Sequence, residues 1–346
     1  MLTKSLTGHS FWMLLLLVFL VSKSVLAQSP PAGFASATVS SQWNEAVGLT
    51  FNSDGSEMFV WERGGRVWVV ANGQKSLVLN ISDEVGAWHD HGLLGFALHP
   101  RFEQNGYIYL LYLVDRHYLM NFGTASYNPV ANDYFSATIG RLTRYTISKS
   151  GTGYSVVPGS RKILIGETKS DGIISTERSH VTGALVFGTD QTLLVGTGDG
   201  ANGAGTDTGN GGGTYFAQAL ADGILTPAYN VGAFRSQILD CLNGKILRID
   251  PESGAGIPSN PFYDPTRPNA AISKVWALGI RQPFRMSMKP GTGSHNPADG
   301  NPGTFYVGEV GYFSWEELNV VDKPGQNFGW PIYEGVLRSR RRTATS

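Results

Sequence analysis

The sequence predicts an all-β protein of the β-propeller class. Its 346 residues include 44 glycines and only 16% charged residues, a composition that suits many short strands joined by tight turns. A unit of strand, polar turn and strand recurs four times, with copies that start at residues 48, 93, 183 and 284. Repeated antiparallel sheets with loops of variable length are typical of a propeller. A β-sandwich would also contain many strands, but it gives no reason for one hairpin to recur, so we predict about four blades.

Further strands and two long insertions separate these units. Apolar strands are predicted at residues 66–70, 141–147 and 244–250. The insertions at residues 115–138 and 201–237 are rich in Gly, Asn, Asp and Tyr and show no amphipathic helix of useful length, so we predict loops there. Loops on one face of a rigid propeller commonly form its functional site.

The N-terminal segment has the pattern of a secretory signal peptide. A short apolar run at residues 11–21 follows Lys4 and precedes Ala27, a small residue that suits cleavage before Gln28. We therefore predict a signal peptide at residues 1–27 and a secreted or periplasmic protein, with a membrane anchor as the alternative. No later stretch is long enough to span a bilayer.

The rest of the chain is predicted to form one domain. Residues 28–38 are rich in Pro, Ser and Ala and are expected to be a flexible lead-in, residues 39–336 to be the propeller, and residues 337–346 to be a basic tail. A net charge of zero gives no reason to expect a nucleic-acid partner. Cys241 is the single cysteine, which excludes an internal disulfide and favours a buried structural thiol.

The stretch from residue 179 to residue 200 places a histidine and an aspartate at the open end of one predicted hairpin. Its strands, residues 184–187 and 192–195, flank a turn at residues 188–191, so that paired residue numbers sum to 379. His180 and Asp199 have this sum and are therefore predicted to face each other at about 5 Å. A carboxylate beside an imidazole can make it a better base. The alternative is that both residues cap strand ends.

Five motifs occur in the same order as in one enzyme family. They cover residues 48–335 and read H-G-L-L-G-F-A-L-H-P-R-F-E-Q-N-G-Y-I-Y, S-H-V-T-G-A-L-V-F-G with V-G-T-G-D, W-A-L-G-I-R-Q-P-F-R, V-G-E-V-G-Y-F-S-W-E-E-L-N-V-V and N-F-G-W-P. Each motif is weak by itself, but five in order are specific. The sequence therefore resembles the soluble PQQ-dependent glucose/sorbosone (aldose sugar) dehydrogenases.

This resemblance implies a six-bladed propeller with pyrroloquinoline quinone and calcium at one mouth. It implies an oxidoreductase that oxidises the C1 hydroxyl of an aldose to the lactone, with hydride transfer to the quinone and onward transfer to an external electron acceptor. His180 matches the family's general base, and Asp199 matches the carboxylate that orients it. Arg281 matches the arginine that holds quinone oxygens, a role suited to a planar guanidinium. Gln282 replaces an asparagine and keeps an amide for the cofactor.

The resemblance also implies metal ligands. The backbone carbonyls of Gly311 and Tyr312 match the positions that bind the calcium of the cofactor, and Glu317 matches a ligand of a second, structural calcium. Carbonyl oxygens are suitable ligands for a hard cation, and they leave the side chains free to vary.

Two further departures from the family pattern lie near the expected site. Phe284 replaces a glutamine, and Asp90 replaces another glutamine. Asp90 is expected to contact the substrate; the alternative is that its charge opposes the quinone. His89, Asp90 and His91 also form a short cluster of residues that can ligate a transition metal, which is an alternative role for them.

The C-terminal end departs most. The family continues for about two more blades, which bring a lysine and two arginines to the quinone, whereas this sequence ends in V-L-R-S-R-R-R-T-A-T-S. We therefore predict a C-terminally truncated member with weakened quinone binding and activity. The alternative is a non-catalytic secreted propeller that binds a carbohydrate or protein partner through its loops.

Overall fold

The structure is a computed structural model that describes residues 30–335 and 337–338, apart from residues 152, 204–205 and 313–314. The predicted signal peptide at residues 1–27 and the predicted tail from residue 339 onward lie outside the described residues. The chain divides into two units, residues 1–41 and residues 42–346. In the first unit, residues 30–41 contain no helix or strand, and one turn joins the Phe34 N–H to the Pro31 carbonyl.

The second unit consists of successive antiparallel sheets. The first sheet contains β1 (Ala46–Phe51), β2 (Glu57–Glu62), β3 (Arg66–Ala71) and β4 (Gln74–Asn80) in sequence order. The second contains β5 (Leu93–Leu98), β6 (Tyr107–Leu113) and β7 (Thr138–Ser150), with β8 (Gly153–Val156), β9 (Lys162–Ile165) and β10 (Ile173–Ser175) all paired to β7. The third contains β11 (Thr182–Phe187), β12 (Leu193–Thr197), β13 (Lys245–Ile249) and β14 (Val275–Leu278), and the fourth contains β15 (Pro283–Met288), β16 (Phe305–Glu309) and β17 (Glu317–Val321).

These four sheets form a four-blade propeller arrangement, which confirms the predicted fold class. The first strands of successive sheets, β1, β5, β11 and β15, lie beside one another in that order. Glycine makes this approach possible: a Cβ on Gly95 would lie 2.8 Å from the Gly183 carbonyl oxygen, too close for any larger residue. The predicted starts of the four units fall within two residues of the observed first strands.

A β-bulge recurs at the start of every first strand. The register shifts between Ala46 and Gly48 in β1 and between Leu93 and Gly95 in β5; the corresponding shifts in β11 and β15 lie between Thr182 and Leu185 and between Pro283 and Arg285. A bulge bends a strand and re-aims the side chains next to it. The sequence repeat is therefore also a repeat of local backbone geometry. The bulges of β11 and β15 lie next to the segments that carry His180 and Gln282.

The sheets pack face to face through strands that are buried on both sides. In β6, Ile108 and Leu110 pack against the first sheet, whereas Tyr109 and Leu111 pack against the third. This alternation follows from the two-residue period of a strand. Apolar side chains on β12, β13, β14 and β16 fill the next interface, with Trp276 as the largest of them. Cys241 is buried in the first of these cores, as predicted.

The insertions contain short helices, so the prediction that they are loops alone was wrong. They hold α2 (Arg116–Asn121), α3 (Phe216–Asp222) and the 3-10 helices Pro227–Tyr229 and Gly232–Gln237. The Asp115 carboxylate caps α2 by accepting from the His117 N–H at 2.8 Å. Two single-turn helices lie elsewhere, α1 (Phe102–Asn105) and α4 (Ala271–Lys274), and Pro297–Asp299 forms a 3-10 helix. Among the described residues, no helix is long and apolar enough to cross a bilayer.

The predicted tail begins as a strand. Residues Leu337–Arg338 form β19, which pairs antiparallel with β18 (Tyr333–Glu334). The prediction of no strand from residue 337 onward was therefore wrong for these two residues. Each of these two strands has only two residues, and they are held by backbone hydrogen bonds, so the pattern of apolar and polar side chains did not predict them.

Candidate active site

The hairpin that carries His180 and Asp199 has a register different from the predicted one near its turn. Phe187 pairs with Leu193, and Leu185 pairs with Val195, so the residue numbers there sum to 380 rather than 379. The turn is one residue longer than predicted, since the Gly188 N–H donates to the Thr192 carbonyl. The bulge in β11 then restores the sum of 379 at Thr182 and Thr197. The turn and the bulge offset each other, so the two residues meet as predicted although the turn was assigned wrongly.

His180 and Asp199 lie side by side and both are buried. The His180 Nδ1 is 3.6 Å from the Asp199 Oδ1, and the two residues are 8% and 1% exposed. This distance is within ion-pair range but beyond a hydrogen bond, and Nδ1 has no hydrogen-bond partner. Catalytic hydrogen bonds are often this long before substrate binds. Because Nδ1 is turned to the carboxylate, Nε2 is on the opposite side of the ring.

The backbone around His180 is held in an unusual conformation. Its φ is +57°, in the left-handed region that few residues other than glycine adopt. The Gly200 N–H donates to the His180 carbonyl at 2.6 Å, and the Gly198 N–H donates to the Val181 carbonyl at 2.9 Å. Such strain is maintained only where surrounding contacts fix it, and it is concentrated at functional sites.

Asp199 is anchored by one neighbouring residue and by two from distant parts of the chain. Its Oδ2 accepts from the Trp330 indole N–H at 2.8 Å, its Oδ1 accepts from the Ala201 N–H at 3.0 Å, and its own N–H donates to the Arg281 carbonyl. Burial by itself would raise the pKa of Asp199. The His180 imidazole, the Arg281 cation and the Ala201 N–H outweigh burial, so the pKa of this carboxyl is lowered. Asp199 is therefore ionised at neutral pH.

Arg281 joins the third blade to the fourth beside this pair. Its guanidinium donates to the carbonyls of Val310 and Gly311, both at 2.9 Å, and the residue is 5% exposed. The Trp330 ring lies 5.5 Å from the guanidinium carbon and the Tyr312 ring 5.8 Å. Arg281 therefore lies beside Asp199 and is buried, not on an outer rim. It is not among the residues that line the cavity next to His180, so its predicted role toward the quinone remains a prediction.

Two of the three residues predicted to bind calcium, Gly311 and Tyr312, lie beside the same arginine. The Gly311 carbonyl accepts from Arg281, and the Tyr312 N–H donates to the Glu334 Oε1. Glu317 lies on β17 and accepts from the Asn319 amide at 3.1 Å and from the Gly335 N–H. Among the described residues, no three His, Cys, Asp or Glu side chains are grouped to hold a metal. The calcium assignments therefore remain predictions.

A cavity of about 530 Å³ opens beside His180. Its lining brings together His180, Asp90, Gln282, Phe284 and Arg285. The other lining residues come from β1, from β5 and from the segments that follow β2, β4 and β16, namely Ala46, Val47, Leu94, Arg63, His89 and Val310. Asp90 is exposed at this cavity, so the structure places it near His180 as predicted. The Arg285 guanidinium donates to the Val47 carbonyl at 2.9 Å, which brings β15 next to β1.

Gln282 lines the cavity and has one unsatisfied polar atom. Its amide N–H donates to the Thr182 carbonyl at 2.8 Å, and its Oε1 is buried without a hydrogen-bond partner. A buried acceptor without a partner is costly, and such atoms commonly mark a place where a bound group donates. The amide group is thus available to a ligand through its oxygen.

The cluster at residues 89–91 does not form a metal site. His91 is 1% exposed, with its Nε2 3.0 Å from the Glu177 carbonyl, and burial lowers its pKa to about 4. His89 is exposed, with a φ of +47°, and lines the His180 cavity. The prediction assumed an extended strand, in which residues i and i+2 share a face. The left-handed turn at His89 separates the two imidazoles instead.

Two residues near the site were not assigned a role from the sequence. Trp330, in the N-F-G-W-P motif, is 131 residues from the carboxylate that it contacts, a separation at which no periodicity applies. Glu309 is 5% exposed and accepts from the Arg281 N–H at 2.5 Å and from the Asn319 amide at 2.6 Å. Burial, with Glu317 adding to it, raises the pKa of Glu309 to about 8. Only the strand pairing of Glu309 with Glu317 could have indicated this coupling.

The sequence and the fold are similar to those of known sugar dehydrogenases. Quinoprotein glucose dehydrogenase B from Acinetobacter calcoaceticus is 25% identical over 338 residues, which are 93% of this chain and 59% of that protein. Aldose sugar dehydrogenase YliI from Escherichia coli is 26% identical over 321 residues, 91% of this chain and 67% of that protein. The PQQ-bound structure of the aldose sugar dehydrogenase from Streptomyces coelicolor superimposes with a TM-score of 0.57 at 25% identity, over 89% of this chain and 70% of that one.

Family membership rests on a match to a family model that covers most of the chain. The chain spans between about a third and two thirds of the length of the curated relatives it matches. Residues 43–343, which include His180, Asp199 and Arg281, match the family described as Glucose / Sorbosone dehydrogenase. The chain belongs to the glucose/sorbosone dehydrogenase family.

Proposed function

We propose that this chain is an oxidoreductase that oxidises the C1 hydroxyl of aldose sugars to the lactone, with pyrroloquinoline quinone as the hydride acceptor. The observation that carries the proposal is the buried pair of His180 and Asp199, 3.6 Å apart, at the wall of a 530 Å³ cavity. A cavity of this size suits a small ligand. Family membership makes a sugar the preferred substrate class.

His180 is the general base of the proposed reaction. Its Nε2 takes the proton of the C1 hydroxyl, and the imidazolium that forms carries its other proton on Nδ1, toward Asp199. A closing movement of about 0.6 Å brings this pair within hydrogen-bond distance. The ionised Asp199, fixed by Trp330 and Ala201, stabilises the imidazolium and holds the ring in one orientation.

The residues that would hold the quinone lie in and beside the same cavity. Arg285 lines the cavity and supplies a cation. Arg281 is not among the lining residues, but it donates to the carbonyl of Val310, which is, and would supply a second cation. With the unsatisfied Oε1 of Gln282 as an acceptor, this set suits a polar, anionic cofactor. When bound, the quinone accepts the hydride from C1. The Gly311 and Tyr312 carbonyls would hold its calcium, and Glu317 a second calcium. The Gly311 oxygen has a second lone pair beyond the one that Arg281 uses.

Substrate and surroundings complete the proposal. Asp90, exposed at the cavity, accepts a hydrogen bond from a sugar hydroxyl in place of the family's glutamine. An external electron acceptor reoxidises the cofactor. We further propose that residues 39–336 are the functional domain and that the protein acts outside the cytoplasm after removal of residues 1–27.

Dye-linked aldose oxidation tests this function. The quinone and calcium are supplied at high concentration, because the described cavity offers few cations to the three quinone carboxylates and weak binding is expected. We expect aldose-dependent dye reduction by the wild-type chain and none by His180→Ala, while His295→Ala, which alters an exposed histidine, keeps the wild-type rate. If quinone binds but aldoses reduce no dye, the function is wrong and the non-catalytic binding propeller takes its place.

A further inference from the structure

A second cavity lies between the outer parts of the second and third blades. It has a volume of about 480 Å³ and shares no lining residue with the His180 cavity. Its walls come from β9 and the segment that follows it, from the segments around Thr226 and Cys241, and from α4. Lys274, the last residue of α4, contributes the one amine among the described residues that line this cavity.

Lys274 is buried with little compensation for its charge. It is 6% exposed, and its Nζ donates to the Gly254 carbonyl at 2.7 Å. Among the described residues, no carboxylate lies within ion-pair distance of this Nζ. The ionisable groups that line the cavity with it are Glu167, Asp171, Asp240, Cys241 and Tyr229. Burial lowers the pKa of Lys274 to about 8, against a smaller opposing effect of Asp171.

Lys245 provides a comparison within the same blade. Burial lowers its pKa to about 8 as well, and it is 0% exposed. Its Nζ, however, donates to three carbonyls, those of Arg235, Ser236 and Asn243, and it lines neither of these cavities. Burial therefore lowers the pKa of both amines, but the two differ in hydrogen bonding and in access to the cavity.

We propose that Lys274 is a carbonyl-reactive amine that forms an imine with small neutral aldehydes that enter this cavity. A buried lysine that is easily deprotonated is a nucleophile at neutral pH. The Nζ lone pair attacks the carbonyl carbon, and the carbinolamine loses the former carbonyl oxygen as water, which leaves a carbon–nitrogen double bond. Three carboxyl side chains line the cavity, so a neutral aldehyde enters more readily than an anionic one. This inference is independent of the proposed sugar oxidation.

The test uses the unmodified protein, so it does not depend on the folding of a variant. Glycolaldehyde is added, imines are trapped by brief borohydride quenching, and labelled peptides are quantified by mass spectrometry over time. We expect Lys274 to be labelled about tenfold faster than the exposed Lys289 at pH 8, because a larger neutral fraction outweighs its lower basicity. Lys245 should stay unlabelled.

The pH dependence separates this explanation from simple exposure. Between pH 8 and pH 9.5 the neutral fraction of an amine with a pKa of about 8 rises about twofold, whereas that of an ordinary lysine rises about thirtyfold. Labelling of Lys274 should follow the shallow dependence. The inference is overturned if Lys274 is labelled no faster than Lys289 or if its labelling rate rises about thirtyfold between these pH values. It is also overturned if Lys245 is labelled as fast as Lys274, because access through the cavity would then play no part.

Discussion

Gly198 has a steric role that can be tested with a single added methyl group. It lies between the His180 backbone and the Gln282 side chain. A Cβ at this position would be 2.5 Å from the His180 carbonyl carbon and closer still to its oxygen and to the Gln282 Oε1. Ordinary contact begins near 3.4 Å and the His180 carbonyl oxygen would be at 2.1 Å, so the His180 backbone would have to move by about 1.3 Å. That carbonyl also accepts from the Gly200 N–H, so the movement breaks a buried hydrogen bond.

We therefore expect Gly198→Ala to destabilise the fold by about 3 kcal/mol. Overpacking contributes about 1–3 kcal/mol and a lost hydrogen bond about 1 kcal/mol. Gly203→Ala is the matched control, because its Cβ meets the His180 ring at an ordinary 3.4 Å, and its stability should change by less than about 1 kcal/mol. Urea unfolding followed by tryptophan fluorescence measures both. Equal stability of the two variants would refute the packing of His180 and Gln282 around Gly198.

Three further predictions concern buried polar groups. Trp330→Phe removes the hydrogen bond to the Asp199 carboxylate and should cost about 1.5–3 kcal/mol in urea unfolding at pH 7; an unchanged midpoint would contradict this contact. Asp190→Asn breaks an ion pair with Arg248 in which both side chains are fully buried. It should lower the free energy of unfolding by about 3–5 kcal/mol in the same assay, and a decrease below about 1 kcal/mol would contradict this. Burial holds the pKa of His91 near 4 in the folded protein, below its ordinary 6.5. As the pH falls from 6.5 to 4, His91 is protonated in the unfolded chain before it is protonated in the folded one, so the folded state loses stability over this range. Wild type should lose about 2 kcal/mol more than His91→Gln between pH 7.5 and pH 5, and equal losses would show that His91 does not titrate as described.

The repeated hairpin was sufficient to predict the propeller, because its cause is local. Each copy has alternating strand patterning around a short turn, and each first strand carries the same bulge in the structure. The bulge itself could not be predicted, since it depends on the close approach of neighbouring first strands at residues such as Gly95 and Gly183. The short helices of the insertions were missed for a related reason: α2 and α3 are too short to show a helical period.

The candidate site was predicted in part by geometry and in part by resemblance. Hairpin pairing brought His180 opposite Asp199, but only because the turn error and the bulge offset each other. The position of Arg281 in the site was predicted from the resemblance alone. Arg281 lies in the connection between β14 and β15, so strand pairing within the hairpin of His180 and Asp199 says nothing about it. Trp330 lies in a separate segment at the end of the described chain, and its contact with Asp199 depends on how the third and fourth blades pack. Such contacts between blades require the folded structure.

The most direct test of the proposed centre separates cofactor binding from chemistry. Quinone binding is titrated in the presence of calcium for wild type and His180→Ala, and the reduction of the bound quinone by an aldose is then followed in a single turnover. If His180 is the base and Arg281 with Gln282 holds the cofactor, the two proteins bind quinone with similar affinity and only wild type is reduced by the sugar. Reduction of both proteins at the same rate would contradict the account.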